Sequence, residues 1–200
     1  MSALSVAKSE FILGGQRSGK SRRAEMLARA WLDHSATHRA VMIATAQPWD
    51  DEMRDRITRH QVDRALRVPG MATVEESMAL AEAISRHSQP DTLVVVDCLT
   101  LWLTNLLMPA AAETLKENQP LALVEYAWSA SLLIAIEKST GPVVLVGNEI
   151  GLGVIPMGRE VRAFVDALGR LNQDVARVCQ RVTLMAAGLP LHLKDCACVL

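Results

Sequence analysis

The sequence predicts an α/β fold in which a mostly parallel sheet is flanked by helices. Three observations carry that prediction. Five short apolar runs, Phe11–Leu13, Ala40–Ala44, Leu93–Val96, Val143–Val146 and Val182–Met185, read as buried strands. Helix-length segments separate most of them, which is the pattern of a parallel sheet covered on both faces. A glycine-rich stretch leaves the first run and enters a helix-like segment beginning Arg22-Arg23-Ala24-Glu25. Two hundred residues suffice for one full core, so a single domain over 1–200 is expected, with 1–10 as an N-terminal extension.

The first run delivers the chain to Gly14-Gly15-Gln16-Arg17-Ser18-Gly19-Lys20-Ser21, which satisfies G-x-x-x-x-G-K-[ST] in full and in the strand-to-helix context that pattern requires. Backbone N–H groups of such a turn surround a phosphate with partial positive charge, and glycine keeps side chains out of the approach. Lys20 would reach the β and γ phosphates, and Ser21 would offer its hydroxyl to Mg2+. The loop therefore predicts a P-loop NTPase-like domain and a bound nucleotide, and leaves the chemistry open. A glycine turn that merely joins strand to helix is the plain alternative.

Ala40–Ala44 is the second run. Beyond it, Asp50 to His60 reads as an exposed helix with acids leading and bases following, the order the helix dipole favours. His60 shares a face with Met53 and Ile57, with Arg56 one turn before it and Arg64 one turn beyond if the helix continues. An imidazole between guanidinium groups suits a phosphate, and a neutral imidazole can also attack phosphorus to form a phosphoramidate. From these residues alone, a partly buried histidine or a simple phosphate contact is the better reading. Leu93–Val96 ends in Asp97, the expected second Mg2+ partner at the carboxyl end of a strand neighbouring that of the loop. A helix-capping or ion-paired aspartate is the other reading.

Cys98 to Ala112 is the longest uncharged run, too short to cross a bilayer comfortably and interrupted by Thr100, Thr104, Asn105 and Pro109. The N-terminus lacks a basic head followed by a continuous apolar core, so no membrane span and a cytoplasmic location are expected. Met108–Pro120 reads as a surface connection. After Val143–Val146, Asn148 and Glu149 close the strand, Gly151, Gly153 and Pro156 shape a turn, and the carboxyl end of an open sheet is where ligands bind. The clearest helix follows Pro156: Val161, Phe164, Val165, Leu168, Leu171, Val175 and Val178 recur at helical spacing, leaving Arg162, Asp166, Arg170, Asn172 and Gln173 on the other faces. Arg162, Arg170 and Asn172 are weaker candidates for substrate or subunit contacts, against solvated helix polars.

Composition narrows the partners. The 21 basic and 22 acidic residues nearly cancel to −1, which argues against a nucleic-acid footprint and for a small molecule. Cys98 and Cys179 lie in apolar patterns as small hydrophobes, and His192, Cys196 and Cys198 lack a second cysteine pair that would complete a familiar metal site.

Taken in order, GGQRSGKSRRAE at 14–25, MIATAQPWDDEMRDRITRH at 42–60, VVVDCLTLWLTNLL at 94–107, VLVGNEIGLGVIP with LGRLNQ across 144–173, and AAGLPLHLK at 186–194 resemble the bifunctional adenosylcobinamide kinase and adenosylcobinamide-phosphate guanylyltransferase family of cobalamin biosynthesis. The loop is common to many families, whereas IATAQ, the NE-G-G-P segment and GRLNQ together are specific. The resemblance implies two reactions: phosphorylation of the aminopropanol hydroxyl of adenosylcobinamide by ATP or GTP, then transfer of GMP from GTP to adenosylcobinamide phosphate with release of pyrophosphate. It implies a guanylylated histidine at His60 and nucleotide contacts from Gly14 to Ser21, at Ala44, Thr45 and Ala46, at Gln61, Val62, Asp63 and Arg64, at Glu75 and at Asp97. Glu75 could accept hydrogen bonds from the guanine N1–H and exocyclic amine, or could instead cap a helix expected over Glu76–Arg86. The resemblance further implies a homo-oligomer, a trimer. The sequence departs from the family's pattern in two places: Gln61 to Met71 is a few residues longer than usual, and Gly147 stands where Ser or Thr is common. A one-step small-molecule kinase, which would need Lys20, Ser21 and Asp97 but not His60, and a nucleotide-binding regulatory module are the rival readings.

Overall fold

The structure, a computed structural model, describes residues 4–108 and 121–196, including the side chains of all but 121–125. Its strands are β1 (Ser9–Gly14), β2 (Arg39–Ala44), β3 (Ala72–Glu75), β4 (Thr92–Asp97), β5 (Val143–Val146), β6 (Arg181–Ala186) and β7 (Leu189–Asp195). The helices are α1 (Lys20–His34), α2 (Asp51–Arg67), α3 (Leu80–His87), α4 (Leu99–Leu107), α5 (Leu121–Lys138) and α6 (Arg159–Val178). One sheet holds all seven strands in the order β3-β2-β4-β5-β1-β6-β7, parallel except for β7, which returns antiparallel to β6.

Two-residue periodicity divides the core. Phe11 and Leu13, Val94 and Val96, and Val143 and Leu145 enter one cluster with α3 to α6. Ile12, Leu93, Val95, Val144 and Val146 enter the other, with Ala24, Leu27 and Ala28 of α1. Alternate side chains of a strand point to opposite faces, so a strand buried on both faces must be apolar at every position, as these runs are.

All five expected strands form, and β3 and β7 are two more at the sheet edges. Ala72-Thr73-Val74-Glu75 and Leu189-Pro190-Leu191-His192-Leu193-Lys194-Asp195 lack a continuous apolar run because an edge strand is only partly covered. Ser9 and Glu10 belong to β1, so the strand starts inside the segment expected to be an extension. The helix expected over Glu76–Arg86 starts later, at Leu80, and it is Glu76 that caps its approach: its Oε1 accepts from the N–H of Met78 and of Ala79, each at 2.9 Å. Asp97 ends β4 as expected, but β4 is not a neighbour of β1, because β5 lies between them. Asn172 is buried and not on a solvated face of α6. The connection expected over Met108–Pro120 falls, beyond Met108, outside the described residues.

Burial pushes the Cys98 thiol up to about 11 and the Cys179 thiol up to about 12, so both remain neutral at pH 7 and pack as small apolar groups. Among the described residues no group of three or more His, Cys, Asp and Glu could hold a metal ion, and no helix is long and apolar enough to cross a membrane. Cys198 lies outside those residues.

Glu10 is wholly buried at the start of β1. Its Oε1 accepts from Arg23 Nε at 2.9 Å and from the Thr183 hydroxyl at 2.8 Å, while Arg181 Nη1 reaches Oε2 at 3.4 Å. The carboxylate thus ties α1 and β6 to β1. Removing one member of a buried pair leaves the other charge unpaired, at a cost of about 3 kcal/mol. Glu10→Ala is therefore expected to lower the unfolding free energy by about that amount in urea titration, with no change in the unfolding slope.

Candidate active site

The phosphate loop spans Gly14 to Ser21 between β1 and α1, with Gly15, Gln16 and Arg17 exposed and Ser18 and Lys20 buried. Its glycines answer to the protein itself as well as to a ligand. Gly14 has φ +153°, and a Cβ there would stand 2.5 Å from both the Met185 carbonyl oxygen and Ser18 Oγ. Gly19 has φ +101°, and its Cβ would meet Gly188 Cα at 3.4 Å. The turn between β6 and β7 lies against the loop, where the Gly188 N–H donates to the Ser18 carbonyl at 3.0 Å. Ser18 Oγ is buried with no hydrogen-bond partner among the described residues.

Lys20 Nζ donates to the Gly15 carbonyl at 2.7 Å, folding the side chain back over the loop. Burial lowers the Lys20 pKa. Cys98 and Asp97 oppose that shift, and the Arg56 guanidinium adds to it. Because the Cys98 thiol is neutral at pH 7, Asp97 is the effective counter-charge. The same coupling brings Arg56 of α2, Lys20 of the loop and Asp97 of β4 into one electrostatic field. Asp97 is half-buried, and Ser21 is the second residue of α1. A hydroxyl and a carboxylate are hard oxygen donors suited to Mg2+, which keeps few protein ligands where phosphates supply the rest.

The segment after β2 is held from β4 and α4. Thr45 is fully buried, and its hydroxyl both donates to the Cys98 carbonyl at 2.7 Å and accepts from the Cys98 N–H at 2.8 Å. Its N–H donates to the Asp97 carbonyl at 3.1 Å. Asn105 Nδ2 donates to the carbonyls of Thr45 and Ser77 at 2.8 and 3.2 Å. Ala44 and Ala46 flank Thr45, half-buried. Of the polar residues that interrupt the long uncharged run, Asn105 and Thr100 thus have partners at the sheet's carboxyl edge, while Thr104 bonds back to the Thr100 carbonyl within α4. Nothing but their presence in an apolar stretch could have singled them out.

Helix α2 does continue past His60, and its covered stripe is Met53, Ile57, His60 and Arg64. Asp50 caps its start, accepting from the Met53 N–H at 2.7 Å. Three contacts dock it: Arg67 pairs with Glu25 of α1 at 2.9 Å, Arg64 Nη1 donates to Thr73 Oγ1 at 3.1 Å, and Gln61 Nε2 donates to Glu75 Oε1 at 3.3 Å. Arg64 is buried with its Nε unpartnered. The structure therefore brings Gln61 and Glu75 together, and puts Arg64 beside them. Val62 is exposed, and Asp63 turns to Arg67 at 3.1 Å, so those two face away from this contact. Glu75 ends β3 and is exposed; it is not the capping residue. His60 is half-buried, and no hydrogen bond engages its ring among the described residues.

At the end of β5, the Glu149 N–H donates to the Gly14 carbonyl at 3.1 Å, and the Asn148 N–H donates to Thr100 Oγ1 at 2.9 Å. Asn172 Nδ2 reaches the Asn148 carbonyl at 3.1 Å. A Cβ at Gly147 would stand 2.8 Å from the Phe11 ring, so the wholly buried ring takes the space a serine or threonine would need.

Comparison with known proteins bears on the family and the fold. The family model for cobinamide kinase / cobinamide phosphate guanyltransferase (CobU) matches residues 10–193. The bifunctional adenosylcobalamin biosynthesis protein CobP of Pseudomonas aeruginosa is 42% identical, covering 92% of this chain and 96% of that one. Its counterparts named CobU in Escherichia coli K12 and Salmonella typhimurium LT2 are 36% and 34% identical, each over 92% of this chain and 98% of theirs. Among solved structures, the flagellar accessory protein FlaH of Methanocaldococcus jannaschii superposes with TM-score 0.51 at 10% identity, over 95% of this chain and 79% of that one. A structural-project protein from Pyrococcus horikoshii OT3 gives 0.54 at 10%, over 98% and 90%. These two support the P-loop NTPase-like fold and nothing further.

Thr45→Val keeps the shape and removes the hydroxyl that serves both backbone groups of Cys98. Two buried polar groups lose their partner, so unfolding free energy is expected to fall by about 2 kcal/mol, with Thr45→Ser close to the parent in the same urea titration.

Proposed function

The chain belongs to the cobinamide kinase / cobinamide phosphate guanyltransferase family, and on that premise we propose which of its residues carry each reaction. It is a bifunctional cobinamide kinase and guanylyltransferase of adenosylcobalamin biosynthesis. In the kinase step the hydroxyl of the aminopropanol arm of adenosylcobinamide attacks the γ phosphorus of ATP or GTP, and the nucleoside diphosphate leaves. In the second step His60 attacks the α phosphorus of GTP; a P–N bond forms, the bond to the β phosphate's bridging oxygen breaks, and pyrophosphate departs. A phosphate oxygen of adenosylcobinamide phosphate then displaces the imidazole, giving adenosyl-GDP-cobinamide.

The observation that carries this reading is the docking of α2. It is paired to α1 through Arg67 and Glu25, it meets β3 through Gln61 and Glu75, and its Arg56 acts on Lys20. His60 lies between Arg56 and Gln61 on that helix, on its covered stripe, which supports its reading as the nucleophile. Attack in line with departing pyrophosphate needs such positioning. In this reading the loop amides of Gly14, Gly15, Gln16, Arg17, Ser18 and Gly19 cradle the phosphates, and Lys20 stabilises negative charge on the leaving group. Ser21 and Asp97 would hold Mg2+, which supplies charge neutralisation at the bridging phosphate oxygens. Glu75, oriented by Gln61, accepts from the guanine Watson–Crick edge, while Thr45 with Ala44 and Ala46 forms the wall beneath. A single domain, assembling as a homotrimer, completes the proposal.

Intact-protein mass after incubation with GTP and Mg2+ tests it. The parent should gain one GMP, lost in acid as a phosphoramidate is, and His60→Ala should gain nothing while still transferring label from γ-labelled ATP to adenosylcobinamide at a rate within about threefold of the parent. An adduct that persists on the folded His60→Ala protein would remove His60 from the role.

A further inference from the structure

Between the end of β5 and the start of α6, the chain sends a strap of large apolar side chains into water. Val154 is 96% exposed, Met157 95%, Leu152 80% and Ile155 77%. Apolar groups are not left in water as a run without a purpose, since contiguous exposed patches mark binding surfaces. The strap is fixed at both ends. At its start the Gly151 N–H donates to Glu149 Oε1 at 2.9 Å, and the Glu149 N–H reaches the Gly14 carbonyl of the phosphate loop. At its finish Arg162 Nη1 donates to the carbonyls of Pro156 and Met157 at 3.0 and 2.6 Å. Between strap and helix α6 lies a cleft of about 500 Å3, walled by Ile150, Val154, Ile155 and Val165 and rimmed by Asp166 and Gln173.

We propose that this strap and its cleft form the surface on which the corrin macrocycle of adenosylcobinamide rests while its hydroxyl arm reaches the phosphate loop. The inference depends on the reading of the chain as a cobinamide enzyme. The substrate's chemistry matches the surface at each level. A corrin is a broad ring with apolar faces and a periphery of carboxamides, which donate and accept hydrogen bonds alike. The strap presents aliphatic side chains to such a face, and the rim presents both a donor, Arg162, and acceptors, Asp166 and Gln173. Position also selects it. The strap leaves β5, the strand paired directly with β1, so a ring lying on it begins one hydrogen bond away from the loop. On the other side of the loop α2 presents mostly charged residues, which suit the phosphates of a nucleotide more than the methyl- and carboxamide-bearing surface of a corrin. Gly169 lines the cleft from α6, and a Cβ there would meet nothing within 4 Å, so that wall is left open for a ligand's edge.

Two full-chain variants test the surface: Leu152→Ser/Val154→Ser/Ile155→Ser, which removes the aliphatic platform, and Gly169→Leu, which fills the cleft from a helix that tolerates leucine. Equilibrium dialysis read by corrinoid absorbance should show adenosylcobinamide affinity falling at least about tenfold in each. GMP adduct formation from GTP alone should stay within about twofold of the parent, and the mass by light scattering should not change. In turnover the loss should enter KM for adenosylcobinamide, with kcat at saturation little altered. Affinity within twofold of the parent in both variants would overturn the proposal. So would a change in assembly mass that accounts for the loss, which would make the strap an interface between copies of the chain. A parent that forms no GMP adduct, yet binds adenosylcobinamide in a strap-dependent way, would sink the His60 assignment and leave this surface standing.

Discussion

A parallel sheet delivers its strand ends to one edge, where backbone groups must find partners without filling the space a nucleotide needs. The rest of the site follows from how that constraint is met. Uncharged side chains reach in from behind the edge. Thr45 closes both backbone groups of Cys98, Thr100 accepts from Asn148, Asn105 holds the carbonyls of Thr45 and Ser77, and Asn172 holds that of Asn148. Each is buried, and each leaves the solvent side of the edge free. The charged groups Lys20, Asp97 and Arg56 share one electrostatic field at that edge, with Lys20 also donating to the Gly15 carbonyl of its own loop.

The amino side of the sheet obeys a different rule. There the buried charge of Glu10 is answered by Arg23 and Arg181 together with the Thr183 hydroxyl, so that both carboxylate oxygens have partners. A fully compensated charge in a closed space positions elements, whereas charges at an open edge with few internal partners are available for a ligand. The contrast separates charges that hold the fold together from charges left open to a ligand, without reference to any relative.

Much of this was legible in the sequence because the central strands are buried on both faces and so show as unbroken apolar runs. The loop was legible because its glycines and lysine keep fixed spacing, and the covered stripe of α2 through Met53, Ile57, His60 and Arg64 followed from helical periodicity. What escaped did so for physical reasons. Ala72–Glu75 is an exposed edge and carries only one covered apolar residue, Val74. Leu189, Leu191 and Leu193 alternate, but all three are exposed, and the one half-covered residue of the strand is Lys194. Asn172 sits among apolar neighbours on the buried side of α6, and its bond to Asn148 joins residues far apart in the chain. The place of β5 between β1 and β4 is a matter of strand order, on which a list of apolar runs is silent. Gly147, a departure when set beside the family's pattern, is accounted for by Phe11, since the ring and a side chain at 147 cannot share the space.

The turn that joins β6 to β7 touches the phosphate loop through Gly188 and Ser18. The loop leaves the ribosome before any of its supports. β1 has no strand partner until β5 is made, and its second flank and the Gly188 clasp wait for the final stretch. Contacts this distant in sequence form only after costly loop closure, so topology makes assembly of the loop late and slow. For most of its synthesis, then, the nascent chain carries the complete phosphate-binding motif without the framework that gives it shape, and the motif gains that framework only when the C-terminal hairpin arrives.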